Sequence, residues 1–247
     1  MIKEETQRTY DRIAKTWDSK VWVKNIEFNT ELIEFANISG DEVALDVGIG
    51  KGDFENFLKI KNLTGVDISK EMIAECKRTH PSFKLVVGDG ENLPFLDKSF
   101  DLVLCRNLLQ NFVNPDKAFR EMHRVLKTGG KMLVIEGAVF ENEREFVASI
   151  VRVTEPHHPL FPSHELIRAL FEQFGIIVTE QRVGKLHKKW LSGFCESKQA
   201  SAKQKDEIIS ICMNLPEWYR EKYKMTFHSD QNEIESTLTF CFIRGKK

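Results

Sequence analysis

Three glycines and three aspartates carry the chemistry that this sequence can be read for. Gly48-Ile49-Gly50-Lys51-Gly52 follows the apolar run Val43-Ala44-Leu45-Asp46-Val47, whose composition predicts a buried parallel strand. Glycine at every second position permits positive φ and lets a ligand approach the backbone closely. The spacing of Phe54, Phe57 and Leu58 then predicts a helix whose first amides face the loop. Two further strands, Asn62 to Asp67 and Phe83 to Val87 with Gly88-Asp89-Gly90 after it, bring acids to their exits. Asp46, Asp67 and Asp89 thus recur at spacings of 21 and 22 residues along one sheet edge. Asp67 is suited to accept ribose hydroxyl hydrogens, the role of the acid after the second strand in dinucleotide sites. The loop, however, lacks the Gly-x-Gly-x-x-Gly spacing of those sites, because its third glycine comes one residue early. Asp46 would also repel a pyrophosphate, whereas a net-cationic nucleoside with an amino-acid moiety would be welcome there.

With those acids and glycines, Asp46 to Asp53 resembles motif I of the class I S-adenosylmethionine-dependent methyltransferases. Tyr10-Asp11-Arg12-Ile13-Ala14-Lys15-Thr16-Trp17-Asp18 resembles the N-terminal helix of the ubiquinone- and menaquinone-biosynthesis type of this family. Glu121 to Met132 resembles the segment after motif III, with Thr128 where proline is usual. The resemblance implies an α/β, Rossmann-like, seven-stranded and mostly parallel sheet with helices on both faces, an antiparallel last strand and a helical cap. It implies S-adenosyl-L-methionine as cofactor and a small-molecule methyl acceptor. Carried over residue by residue, it assigns cofactor contacts to Asp46, Gly48, Ile49, Gly50, Asp67, Asp89 and Gly90, with Asp89 beside the adenine amino group. It also implies that the N-terminal helix folds over the cofactor, bringing Tyr10 to it; an aromatic face near a sulfonium adds cation–π attraction.

The elements between these motifs supply the remaining candidates. Ser69 suits a helix N-cap, and Ile68 and Met72 are candidates for an apolar wall against adenine, a task that core packing would explain equally for Met72. Arg106 and Asn107 leave the fourth strand at the edge where parallel sheets bind ligands. Asn114-Pro115-Asp116 opens a helix with capping residue, first-turn proline and acid in order. Glu155 to Pro162 holds three prolines around His157 and His158, either of which could serve as a base near neutral pH or face solvent from a rigid loop. Strands are expected at 176–180 and 237–243, and Lys185 to Lys189 reads as a solvated turn. About 50 residues separate those strands, far more than a hairpin loop needs. Their apolar positions at helical spacing predict a helical cap.

Composition sets the outer limits. A net charge of −1 gives no electrostatic case for nucleic acid. No apolar run approaches the ~20 residues of a membrane span, and no N-terminal signal segment is expected. Five scattered cysteines without a Cys-x-x-Cys pair predict a reducing, cytoplasmic setting with neither disulfides nor a metal site. The expected organisation is one structural domain: a helical lid over 1–40, a cofactor-binding core over 41–183 and 236–247, and a cap over 184–235. Alternatives are a non-catalytic S-adenosylmethionine-binding regulator, or a nucleic-acid or protein methyltransferase. The Asn/Asp-Pro-Pro-aromatic motif of enzymes that methylate base amino groups is absent, since Arg106-Asn107-Leu108-Leu109 stands in its place.

Overall fold

The computed structural model describes residues 2–15, 26–155 and 161–247. Five strands follow the expected order: β1 (Val43–Val47), β2 (Asn62–Asp67), β3 (Lys84–Val87), β4 (Phe100–Arg106) and β5 (Leu126–Gly137). All five run parallel, in the spatial order β3-β2-β1-β4-β5. The sheet ends with β6 (Ile177–Lys189), and β8 (Glu233–Lys246) is wedged antiparallel between β5 and β6. A three-residue β7 (Thr226–His228) joins the seven expected strands by pairing with β8.

Alternation along each strand builds two apolar faces. Leu45, Val47, Val103, Cys105, Met132, Val134, Cys241 and Ile243 point to one face. There they meet Phe119 and Met122 of α5 (Pro115–Val125) and Ile167 and Phe171 of α7 (His164–Gln173). Their neighbours Ala44, Leu102, Leu104, Leu133, Ile135 and Phe242 point to the other face. That face is covered by Phe28, Leu32 and Phe35 of α2 (Ile26–Ala36) and by Cys76 of α4 (Lys70–Thr79). Three capping residues act as their types require: the Ser69, Asn114 and Ser163 side chains accept from Met72 N, Lys117 N and Leu166 N.

Three expectations need correction. The helix after the glycine loop, α3 (Glu55–Leu58), is a single turn, stopped by Lys59 in the left-handed region (φ 53°). It is too short to present a helix N-terminus to the loop. Lys185 to Lys189 is no turn, because β6 continues through it and pairs with Glu235 to Thr239. Both outer strands are therefore longer than expected, and the cap is narrower. It comprises α8 (Leu191–Lys198), α9 (Ala202–Asn214), α10 (Glu217–Lys222) and β7, packed with α6 (Arg144–Thr154) around Ile150, Leu191, Ile208, Cys212 and Tyr219. Among the described residues no helix is long and apolar enough to cross a membrane.

Candidate functional site

A cavity of about 920 Å³ runs along the carboxyl edge of the sheet, from the glycine loop to the underside of the cap. Every cofactor candidate read from the sequence lines it except Asp46: Tyr10, Gly48, Ile49, Gly50, Asp67, Ile68, Met72, Asp89, Gly90, Arg106 and Asn107. Asp46 is 2% exposed and sits behind the loop, on the sheet face opposite Leu45 and Val47. His157 and His158, with Trp17 of the N-terminal segment, lie outside the described residues.

The loop is held from the sheet side. Gly48 N and Ile49 N both donate to Val66 O, at 2.7 and 3.2 Å. Gly48, Gly50 and Gly52 all have positive φ (78°, 55° and 73°). An added Cβ at Gly50 would meet nothing within 4 Å, so its backbone borders open cavity. Asp67 accepts from Gly50 N on Oδ2 and from Ser69 N on Oδ1, each at 2.9 Å. Each carboxylate oxygen keeps a further lone pair for a ligand hydroxyl. Burial pushes this carboxyl's pKa up, while the backbone donors oppose that shift.

Asp89 is held by Glu91 N on Oδ1 at 2.8 Å and by the Lys3 ammonium on Oδ2 at 2.7 Å. The same ammonium lies 2.6 Å from Glu91, which in turn accepts from Val113 N and Asn114 N. Lys3 belongs to α1 (Ile2–Ile13). That helix is also fastened to the start of α4, since Asp11 accepts from Ser69 Oγ at 2.7 Å and from Glu71 N at 3.3 Å. Its Ile13 and Ala14 pack on Met72, and Tyr10 OH accepts from Asn111 Nδ2 at 2.9 Å.

At the exit of β4 the Arg106 guanidinium stacks 4.5 Å from the centroid of the Phe54 ring. Asn107, at φ 49°, accepts from Gly137 N at 3.2 Å. Beneath this turn Glu136 is fully buried, with Oε2 accepting from Leu108 N and Leu109 N, both at 2.8 Å. Burial pushes its carboxyl up to about 8, against those donors. The far end of the cavity is aromatic: Trp190, Phe194, Tyr219, Tyr223 and Phe240 line it. Lys188 lines it too, and burial lowers its ammonium to about 8.

Residues 45–134 match the model of a methyltransferase domain. The chain is 31% identical over 142 residues to demethylmenaquinone methyltransferase of Thermotoga maritima, covering 54% of this chain and 62% of that protein. Over residues 45–134 the chain is thus similar to methyltransferase domains. It is also 25% identical to the uncharacterized methyltransferase YcgJ of Bacillus subtilis, over 93% of this chain and 94% of the other. The solved structure of YcgJ superposes with a TM-score of 0.78 at 24% identity, covering 90% of this chain and 98% of that one, a likeness of fold. Of the first two curated relatives that it matches, the chain spans 62% and 59% of the length.

Several groups around this cavity escaped the sequence reading. Lys3 stands on an ordinary exposed-looking helix start, 86 residues from Asp89. Glu136 sits in an apolar strand end, and a lone acid there was the available signal. Glu143, 1% exposed, bonds to Tyr223 OH at 2.6 Å across 80 residues, and nothing local announces that pair.

Proposed function

We propose that this protein transfers a methyl group from S-adenosylmethionine to a small, ring-bearing apolar acceptor held under the cap. The observation that carries the reading is the continuity of the cavity, which joins the strand-edge acids to the aromatic chamber. The lining fits the cofactor. Asp67 offers two oxygens to ribose hydroxyls, Asp89 offers an acceptor to an adenine amino group, and Ile49, Ile68 and Met72 are apolar walls for the base. Gly48, Gly50 and Gly90 allow close approach; Arg106 and Asn107 border the methionine end, and Tyr10 borders it from α1. The third glycine of the loop, one residue early for the dinucleotide fingerprint, argues against nicotinamide dinucleotides. When bound, the cofactor supplies a methyl group already activated on a sulfonium.

The chain's own task is then alignment, worth up to ~7–11 kcal/mol in favourable cases. Trp190, Phe194, Tyr219 and Phe240 exclude water and orient a flat acceptor. The name of the Thermotoga maritima relative points to a quinol-type ring, so a hydroxyaromatic acceptor is the class we favour. His157 and His158 stand as one proposed source of a base. Calorimetry tests the reading: S-adenosylhomocysteine should bind and NAD and NADP should not. Binding of a nicotinamide dinucleotide, or no binding of S-adenosylhomocysteine, would overturn it.

A further inference from the structure

Glu143 stands at the entry to α6 yet is almost wholly buried. A carboxylate so placed needs compensation. It receives it from Lys222, whose Nζ is 2.5 Å from Oε1, and from Tyr223, whose hydroxyl donates to Oε2 at 2.6 Å. Tyr223 lines the capped end of the cavity beside Tyr219, with ring centroids 4.6 Å apart, and the Thr239 hydroxyl lies next to its own. Because the one hydroxyl proton of Tyr223 is directed at Glu143, its oxygen can meet a ligand only as an acceptor. Burial and the adjacent carboxylate push this phenol well above its ordinary range, so Tyr223 gives up its proton only as another arrives.

We infer that Tyr223 and Glu143 form a proton relay that takes the hydroxyl proton of a hydroxyaromatic acceptor bound beneath the cap. This rests on the methyl-transfer reading above. In the step, the acceptor O–H bond breaks and its electron pair stays on the acceptor oxygen. The proton bonds to Tyr223 Oη while the original Tyr223 proton passes to Glu143 Oε2. Glu143 becomes a neutral acid and the acceptor a phenolate, so the negative charge moves from the buried carboxylate to the ring that must act as nucleophile. Lys222 stays paired with the Glu143 side.

2-Naphthol serves as the probe, since its neutral and ionised forms absorb at different wavelengths. Titrated into protein loaded with S-adenosylhomocysteine, it should bind with a larger ionised fraction than free probe at the same pH. Tyr223→Phe should bind the probe within about threefold of wild type yet lose the ionised band, with S-adenosylhomocysteine affinity unchanged. Glu143→Gln should lose the band, and Glu143→Asp should recover part of it. The relay is overturned if wild-type protein holds S-adenosylhomocysteine but does not bind or ionise the probe. It is overturned equally if Tyr223→Phe ionises the probe as well as wild type. Failure of wild-type protein to bind S-adenosylhomocysteine would instead sink the methyl-transfer reading.

Discussion

Asp67 and Gly50 are joined directly: the carboxylate at the end of β2 accepts the Gly50 N–H at 2.9 Å, fastening the loop after β1 to the neighbouring strand. One side chain therefore shapes the loop and lines the cavity. Asp67→Ala should weaken S-adenosylhomocysteine binding by roughly 10²–10⁴-fold, since charge-assisted bonds to two ribose hydroxyls are each worth ~1.5–3 kcal/mol. Calorimetry on the variant checks this, and an affinity within threefold of wild type would remove Asp67 from the site.

Gly50 and Gly52 should fail in different ways. An alanine Cβ at Gly52 (φ 73°) would lie 2.7 Å from Cys76 Sγ and 3.2 Å from His80 and Phe83 ring atoms. Left-handed strain and overpacking together should cost about 2–5 kcal/mol, read as a clear drop in Tm. Gly50→Ala carries the left-handed strain (φ 55°) but meets no neighbour, so it should lower Tm by less than Gly52→Ala while weakening S-adenosylhomocysteine binding strongly. If both variants lost stability equally, the loop's open side would not be where the cofactor sits.

The position of α1 across Asp89 and α4 predicts a ligand-dependent lid. Saturating S-adenosylhomocysteine should slow proteolysis within residues 2–15, because ligand binding stabilises what it touches. Asp11→Ala removes the acceptor for Ser69 Oγ and Glu71 N and should speed that cleavage. Equal cleavage of wild-type protein with and without ligand would make α1 ordinary packing.

Glu136 should leave a mark on stability against pH. Its folded pKa, about 8, lies above that of an exposed glutamate. Folding therefore holds the proton that the unfolded chain releases. The stabilisation is complete below the unfolded pKa near 4.3 and is lost as pH rises through about 8. Glu136→Gln should flatten that decline and gain on the order of a few kcal/mol relative to wild type between pH 5 and pH 9. Denaturant titrations of both proteins across this range provide the measurement, and parallel curves would count against the buried neutral acid.

Much of the cofactor half was legible in the sequence because it is locally encoded. A strand's apolar run, the acid at its exit, the glycines beyond it and the capping serine or asparagine lie within a few residues of one another. Their geometry follows from backbone sterics and one-turn hydrogen bonds. Asp46 shows where local spacing stops, since it brought an acid to the strand end without telling that its side chain is 2% exposed. The acceptor half was decided by pairing between distant segments. Lys185 to Lys189 reads as a polar turn by composition. It becomes strand because Glu235 to Thr239 offers it an antiparallel edge roughly 50 residues on. Lys3 with Asp89 and Glu143 with Tyr223 likewise meet only once the helices are seated. A buried charge takes whatever compensating partner the packed fold brings to it, so partners 80 and 86 residues away leave no periodic trace in the chain.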